Sequence, residues 1–213
     1  MAVNKTDPRV VKTRNSLRKA LVYLMRREKL EDISVQKITE TANITRGTFY
    51  LHYKDKHDFI ESAMHEIINE FFSQVMVDSN DFRLAKGRTV QVFSLCKAFQ
   101  CIGNDADIFD VLLNNEKNNF FYEQLYNRLD NEMTRFSEQI YGNQQLEVPL
   151  NLQIAFVDSA FLGLVSRWLA DGMIYTPRYM TQSVARMLEQ YSSDSASLVN
   201  FFDWEPAPSL KEM

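Results

Sequence analysis

Residues Ile33 to Tyr53 restrict the fold of this chain more than any other stretch, because they spell two short helices and the turn between them. Ser34 is a natural N-cap for the first helix, and Val35, Ile38 and Ala42 fall on one inward stripe. Ala42-Asn43-Ile44 makes the turn: small Ala42 allows the helices to approach, and Asn43 tolerates the left-handed backbone such turns need. Thr45 caps the second helix, which buries Phe49 and sends Thr45, Arg46, Thr48 and His52 outward. That outward set shares hydrogen-bonding capacity for phosphates and base edges. Two helices at a steep angle, the second carrying donors and the positive end of its dipole, form a helix-turn-helix suited to the DNA major groove.

The chemistry divides by residue. Arg46 can make a bidentate bond to guanine or grip a phosphate. Gly47 lets the backbone come close to a duplex. Thr45, Thr48, Tyr50, His52 and Tyr53 supply hydroxyl or imidazole donors for phosphates, Tyr50 being equally suited to half-burial in a small core. Gln36 and Lys37, just after the cap residue Ser34, flank the same groove.

This run resembles the N-terminal domain of the TetR family of bacterial transcriptional regulators. The matching pieces are Val35-Gln36-Lys37-Ile38-Thr39, then Ala42-Asn43-Ile44-Thr45-Arg46-Gly47-Thr48-Phe49-Tyr50, then His52-Tyr53-Lys54-Asp55-Lys56, within a likeness over about residues 9 to 70. Asn43 stands where that family usually has glycine, and Tyr53 where it usually has phenylalanine. The resemblance implies an all-α chain with a helix-turn-helix head over residues 1–54, a connecting helix over 55–77 and a larger helical effector-binding and dimerisation domain over 78–213. It also implies that Lys56, at the start of the connecting helix, contacts a phosphate.

Charge supports a division of labour. The net charge is −4, yet residues 1–57 hold 13 Lys+Arg against 6 Asp+Glu, a net of +7, leaving −11 on the remainder. A positive head on an acidic body suits a head that meets a polyanion. Six glycines and five prolines in 213 residues argue for long helices and few turns. No run of about 18 apolar residues stands out as a membrane span, and Met1 to Lys5 lack the apolar core of a signal peptide. Cys96 and Cys101 sit five apart on one expected helix, poor geometry for a bridge, and read as reduced thiols in a cytosolic protein.

Helical periodicity covers most of the chain. The first helix is expected from Pro8 to Glu28, with Val10, Leu17, Leu21, Leu24 and Met25 inward. From Asp55, apolar residues come in pairs four apart: Phe59-Ile60, Ala63-Met64, Ile67-Ile68, Phe71-Phe72 and Val75-Met76. A repeat of four overshoots the 3.6-residue turn, so the buried stripe rotates by about 160° along the helix. Its start then faces the head and its end faces the body. His57, Glu61 and His65 share one side of this helix; the spacing can hold zinc, but it equally describes a solvated face. After a hinge-like loop over 78–88, helices are expected at 89–103, 105–115, 118–141, 150–171 and 177–192, with no sheet.

The helix over 150–171 is apolar on more than one side. The resemblance implies a four-helix dimer bundle with the helix after it, assigned here to Val157, Phe161, Leu164, Trp168, Val184 and Leu188. A central core helix of a monomer fits the same pattern. Aromatic residues in the body could line a pocket for an apolar or aromatic effector, represented by Phe93, Cys96, Phe109, Tyr122, Tyr126 and Phe161, or could be ordinary core. Gly163 to Met180 looks like a C-terminal type of Gram-positive regulators, some of which are co-activators with a protein partner. No phosphate-cradling glycine loop, Gly-x-Ser-x-Gly elbow or paired-cysteine motif is present, and all three histidines lie near the DNA-binding run, so neither an enzyme, a cofactor nor a metal is indicated. The expectation is a homodimeric repressor that binds a near-palindromic double-stranded operator and is released by a small molecule. The alternative is a co-activator or interaction module of the same fold that works through a protein partner without a pocket.

Overall fold

Asp7 opens the first helix, accepting the Arg9 N–H at 2.8 Å, and Pro8 supplies a first-turn residue that needs no N–H partner. The computed structural model describes residues 7–79, 89–114, 119–142, 148–191 and 198–204, without the side chains of Gln190 and Tyr191. Most of the expected loop over 78–88, with Gly87, and the C-terminal Pro206 and Pro208 lie outside the described residues.

The chain forms α1 (Pro8–Met25), α2 (Val35–Thr41), α3 (Arg46–His52), α4 (Lys56–Val75), α5 (Leu95–Asn104), α6 (Ala106–Leu113), α7 (Phe120–Ile140), α8 (Leu150–Ala170) and α9 (Pro177–Tyr191). A 3₁₀ turn, Leu30–Asp32, leads into α2, and another, Leu198–Phe201, follows α9. The fold is all-α in character. Side-chain caps set the short head helices: Ser34 accepts the Lys37 N–H, Thr45 that of Thr48, and Asp55 that of Asp58.

α4 connects the two ends of the molecule. Near its start Phe59 meets Phe49 and Tyr53, with ring centroids 5.4 and 4.9 Å apart. Near its end Phe71 and Phe72 meet Phe93, and Phe71 also meets Phe109 at 5.5 Å. The buried set therefore changes partners along the helix, as a repeat of four dictates. Arg14–Glu66 and Arg18–Glu70 pairs, both 3.2 Å, tie α1 to α4, and Arg26–Asp107 at 2.8 Å ties α1 to α6.

The expected absence of sheet needs correction. α4 runs directly into β1 (Met76–Asp78), which pairs antiparallel with β2 (Gln91–Ser94); β2 pairs in parallel with β3 (Phe202–Asp203). Phe93 lies opposite Met76 on one side and Phe202 on the other. The helix expected over 89–103 thus begins only at Leu95, where the Ser94 side chain accepts the Lys97 N–H. Val90, Val92 and Phe93 are buried, and a strand this short leaves too little alternation to be read from sequence.

α8 is the central helix of the body, with Ile154, Phe161, Leu162, Val165, Trp168 and Leu169 buried. By length and mean hydropathy (1.3) α8 is long and apolar enough to cross a membrane, although Asn151, Gln153, Asp158 and Arg167 interrupt it, so no unbroken apolar run of that length is present. Burial on several sides accounts for that apolarity. α5 and α9 cross closely at Gly103, where a Cβ would come within 3.1 Å of the Pro177 ring.

Candidate nucleic-acid interface

α3 is held by very little. Of its seven residues only Phe49 is buried, against Tyr50, Tyr53 and Phe59. The turn before it places Asn43 at φ +54°, the left-handed conformation that asparagine accepts in place of glycine. Everything else on α3 is set by its cap and by where the helical repeat points it.

Arg46 and Gly47 are exposed, and among the described residues Arg46 has no carboxylate partner. Thr45 and Thr48 share a hydroxyl–hydroxyl hydrogen bond of 2.9 Å, which fixes both rotamers at the helix start. Tyr50 is 49% exposed, its ring edge-on to Phe49 at 5.4 Å, so it combines a packed flank with a free hydroxyl end. His52 is half-buried on the flank of α3. On α2, Gln36 is taken up by Glu40 at 2.9 Å, and Lys37 by Glu28 and the Asp32 carbonyl.

Two members of the expected set are placed differently. Tyr53 is buried, wedged between Phe49 and Phe59, and burial, reinforced by the Glu66 charge, pushes its phenol up to about 12. It serves the small core, as the phenylalanine usual in the family would, and does not offer its hydroxyl outward. Lys56 donates to the Leu30 and Glu31 carbonyls at 3.1 Å each, stapling the turn before α2 to the start of α4. An ammonium has three donors, so one remains for an outside acceptor. Sequence reasoning missed Leu51, which is 82% exposed on the same surface; its place one turn beyond Gly47, opposite Phe49, was the available signal.

The body residues also sort themselves. Phe93, Phe109 and Phe161 share one interior with Phe71 and Phe72, where the remaining cavity is only about 10 Å³. Cys96 is half-buried at the start of α5, its sulfur accepting from Gln100. Tyr122 and Tyr126 lie half-buried on α7, Tyr126 close to Asp158 and Asp130. Phe161 and Trp168, expected at a dimer interface, face inward instead: Phe161 packs on Phe93 and Phe99, and the Trp168 N–H donates to the Tyr175 carbonyl at 2.9 Å. Val184 is buried, and Val157, Leu164 and Leu188 are half-buried. The apolar side chains that do face outward are Leu152 and Phe156 on α8 and Tyr179 and Met187 on α9.

The family model described as transcriptional regulator C-terminal region, of TetR type, matches residues 93–190, which is the helical body from β2 to α9. Over that body the chain is similar to the TetR family of transcriptional regulators. The uncharacterized HTH-type transcriptional regulator YxbF of Bacillus subtilis is 24% identical over 187 residues, taking in 86% of this chain and 46% of the relative. The chain thus spans about half the length of that relative. Among solved structures, a TetR transcriptional regulator from Streptococcus agalactiae aligns with a TM-score of 0.59 at 18% identity, covering 85% of this chain and 96% of that one. FadR from Bacillus subtilis, in complex with stearoyl-CoA, aligns with a TM-score of 0.54 at 19% identity, covering 80% and 94%. Both likenesses concern the fold.

Proposed function

We propose that this chain is a TetR-family regulator and binds double-stranded DNA as a homodimer, laying α3 of each copy into successive major grooves of a near-palindromic operator. The observation that carries this reading is the surface of α3: Phe49 alone is fully buried, Thr48 and His52 are half-buried, and Arg46, Gly47, Tyr50 and Leu51 are exposed, Arg46 with no carboxylate partner among the described residues. The outward apolar residues of α8 and α9 supply the surface on which a second copy can close, and a two-fold pairing fits half-sites about 34–36 Å apart. We assign the head to residues 1–54 with α4 as the connector and the body to residues 78–213. Fluorescence anisotropy on duplexes enriched from a random library tests the reading. Tight binding that weakens steeply with salt is expected; indifference to every duplex at low salt overturns it.

Repression would follow from operator occupancy, relieved when a ligand of the body favours a head spacing that misses the grooves. An apolar effector, for which the stearoyl-CoA bound by FadR is a starting probe, must part Phe93, Phe109 and Phe161 to enter. That packed interior favours a second reading, in which the body has no ligand and works through a protein partner. Thermal unfolding with stearoyl-CoA separates the two: saturating ligand at a hundred times its Kd stabilises by about 2.7 kcal/mol, whereas an unchanged Tm supports the second.

A further inference from the structure

On α3, successive residues are about 100° apart, so Gly47 and Leu51 lie one above the other and each sits about 160° from the buried Phe49. They mark the most outward line of the helix, with Arg46 and Tyr50 on one side and Thr48 on the other. Leu51 is 82% exposed, more than any other large apolar side chain among the described residues. A single exposed leucine elsewhere on a surface needs no explanation. This one stands in the middle of a face otherwise made of donors and hydroxyls.

Gly47 adds an independent observation. A Cβ there would meet nothing closer than the Thr45 hydroxyl at 3.8 Å, so protein packing does not require glycine. Glycine in the first turn of a helix is still less favourable than alanine, by less than the about 1 kcal/mol it costs in a helix interior. The missing side chain leaves a notch beside Leu51 through which another surface can approach the helix backbone. In the major groove the one apolar feature on a base edge is the 5-methyl group of thymine.

We propose that Leu51 is a specificity-determining residue, reading the 5-methyl group of one thymine in each half-site while Gly47 admits the duplex to contact distance. This rests on the DNA-binding function proposed above. The test uses the full-length protein and duplexes it enriches from a random library, each thymine being replaced in turn by deoxyuridine, which lacks only that methyl group. For the wild type, one thymine per half-site is expected to show a loss of about fourfold in affinity on replacement, the worth of one buried methyl, and about fifteenfold when both half-sites are changed. Leu51→Ala should bind the thymine duplex more weakly by a similar factor and be indifferent to the replacement. Being so exposed, Leu51 can be truncated without loss of fold, which circular dichroism checks. Wild-type protein that binds its duplexes but ignores every replacement overturns the assignment, as does Leu51→Ala that keeps the full deoxyuridine penalty. Failure to enrich any duplex overturns instead the DNA-binding reading beneath it.

Discussion

Two faces of this molecule are left open by the fold, and they are open for opposite reasons. α3 shows Arg46, Gly47, Thr48, Tyr50 and Leu51 outward, a surface of donors around one leucine, on a head whose cations Arg9, Lys12, Arg46 and Lys54 lack carboxylate partners among the described residues. α8 and α9 show Leu152, Phe156, Tyr179 and Met187, large apolar side chains exposed among polar ones. Water satisfies the first face and not the second. A polyanion can displace that water with a gain in counterion entropy, whereas the second face gains only by being covered. On the proposed function the two surfaces respond to different variables: salt for the head, apolar contact for the body.

The sharpest way to break this contrast is to put a charge on the apolar face. Phe156 is 63% exposed, so Phe156→Asp leaves the monomer folded but buries an unpaired carboxylate in each copy at a dimer seam. Sedimentation equilibrium should show dimerisation weakened by at least about a hundredfold, and a variant as dimeric as the wild type refutes the assignment of the seam. On the polar face, Arg46→Ala should cost about 1–3 kcal/mol of DNA binding and relax the preferred sequence if the guanidinium reads guanine. An even loss across sequences places it on a phosphate.

A buried group makes the stability of the body depend on pH. Asp158 on α8 is fully buried, neither oxygen has a partner among the described residues, and burial, with Asp130 adding repulsion, pushes its carboxyl from 3.8 to about 7. A folded state that holds its proton more tightly than the unfolded chain is favoured at low pH. The contribution is complete below about pH 4 and is lost as pH rises to about 7. Between pH 5 and 7 stability should fall by up to about 2 kcal/mol, a few degrees in Tm, and Asp158→Asn should flatten that slope. A wild-type Tm independent of pH in this window contradicts the placement. The smallest effect belongs to Lys56→Ala: DNA affinity should drop evenly across sequences and the salt slope should become shallower by about one unit. An unchanged slope means that its two carbonyl bonds use it up.

How far each region was legible follows from where its determinants lie. In the head they are local. Ser34, Thr45 and Asp55 cap their helices with their own side chains, and Asn43 turns the backbone through its own φ, so a few neighbouring residues specify each element. Tyr53 was misplaced because a tyrosine at a helix end can point either way, and only the Phe59 ring from α4 decides it. In the body the determinants are distant. β2 exists because Met76 and Phe202, far away in sequence, pair on either side of Phe93. Phe161 and Trp168 lie on the same apolar helix as Phe156; periodicity marks several buried sides without saying which neighbour covers which. That Phe93, Phe109 and Phe161 close on one another, with about 10 Å³ left over, is likewise a property of packing between elements.

The central claim, that a symmetric pair of α3 helices reads two successive grooves, is tested most directly by the spacing of half-sites. Sequencing of duplexes enriched by the full-length protein should return an inverted repeat with centres about 10–10.5 base pairs apart, and inserting five base pairs between the halves, which turns one to the opposite side of the duplex, should abolish tight binding. Enrichment of a single, unrepeated element, or binding that survives the insertion unchanged, contradicts the account.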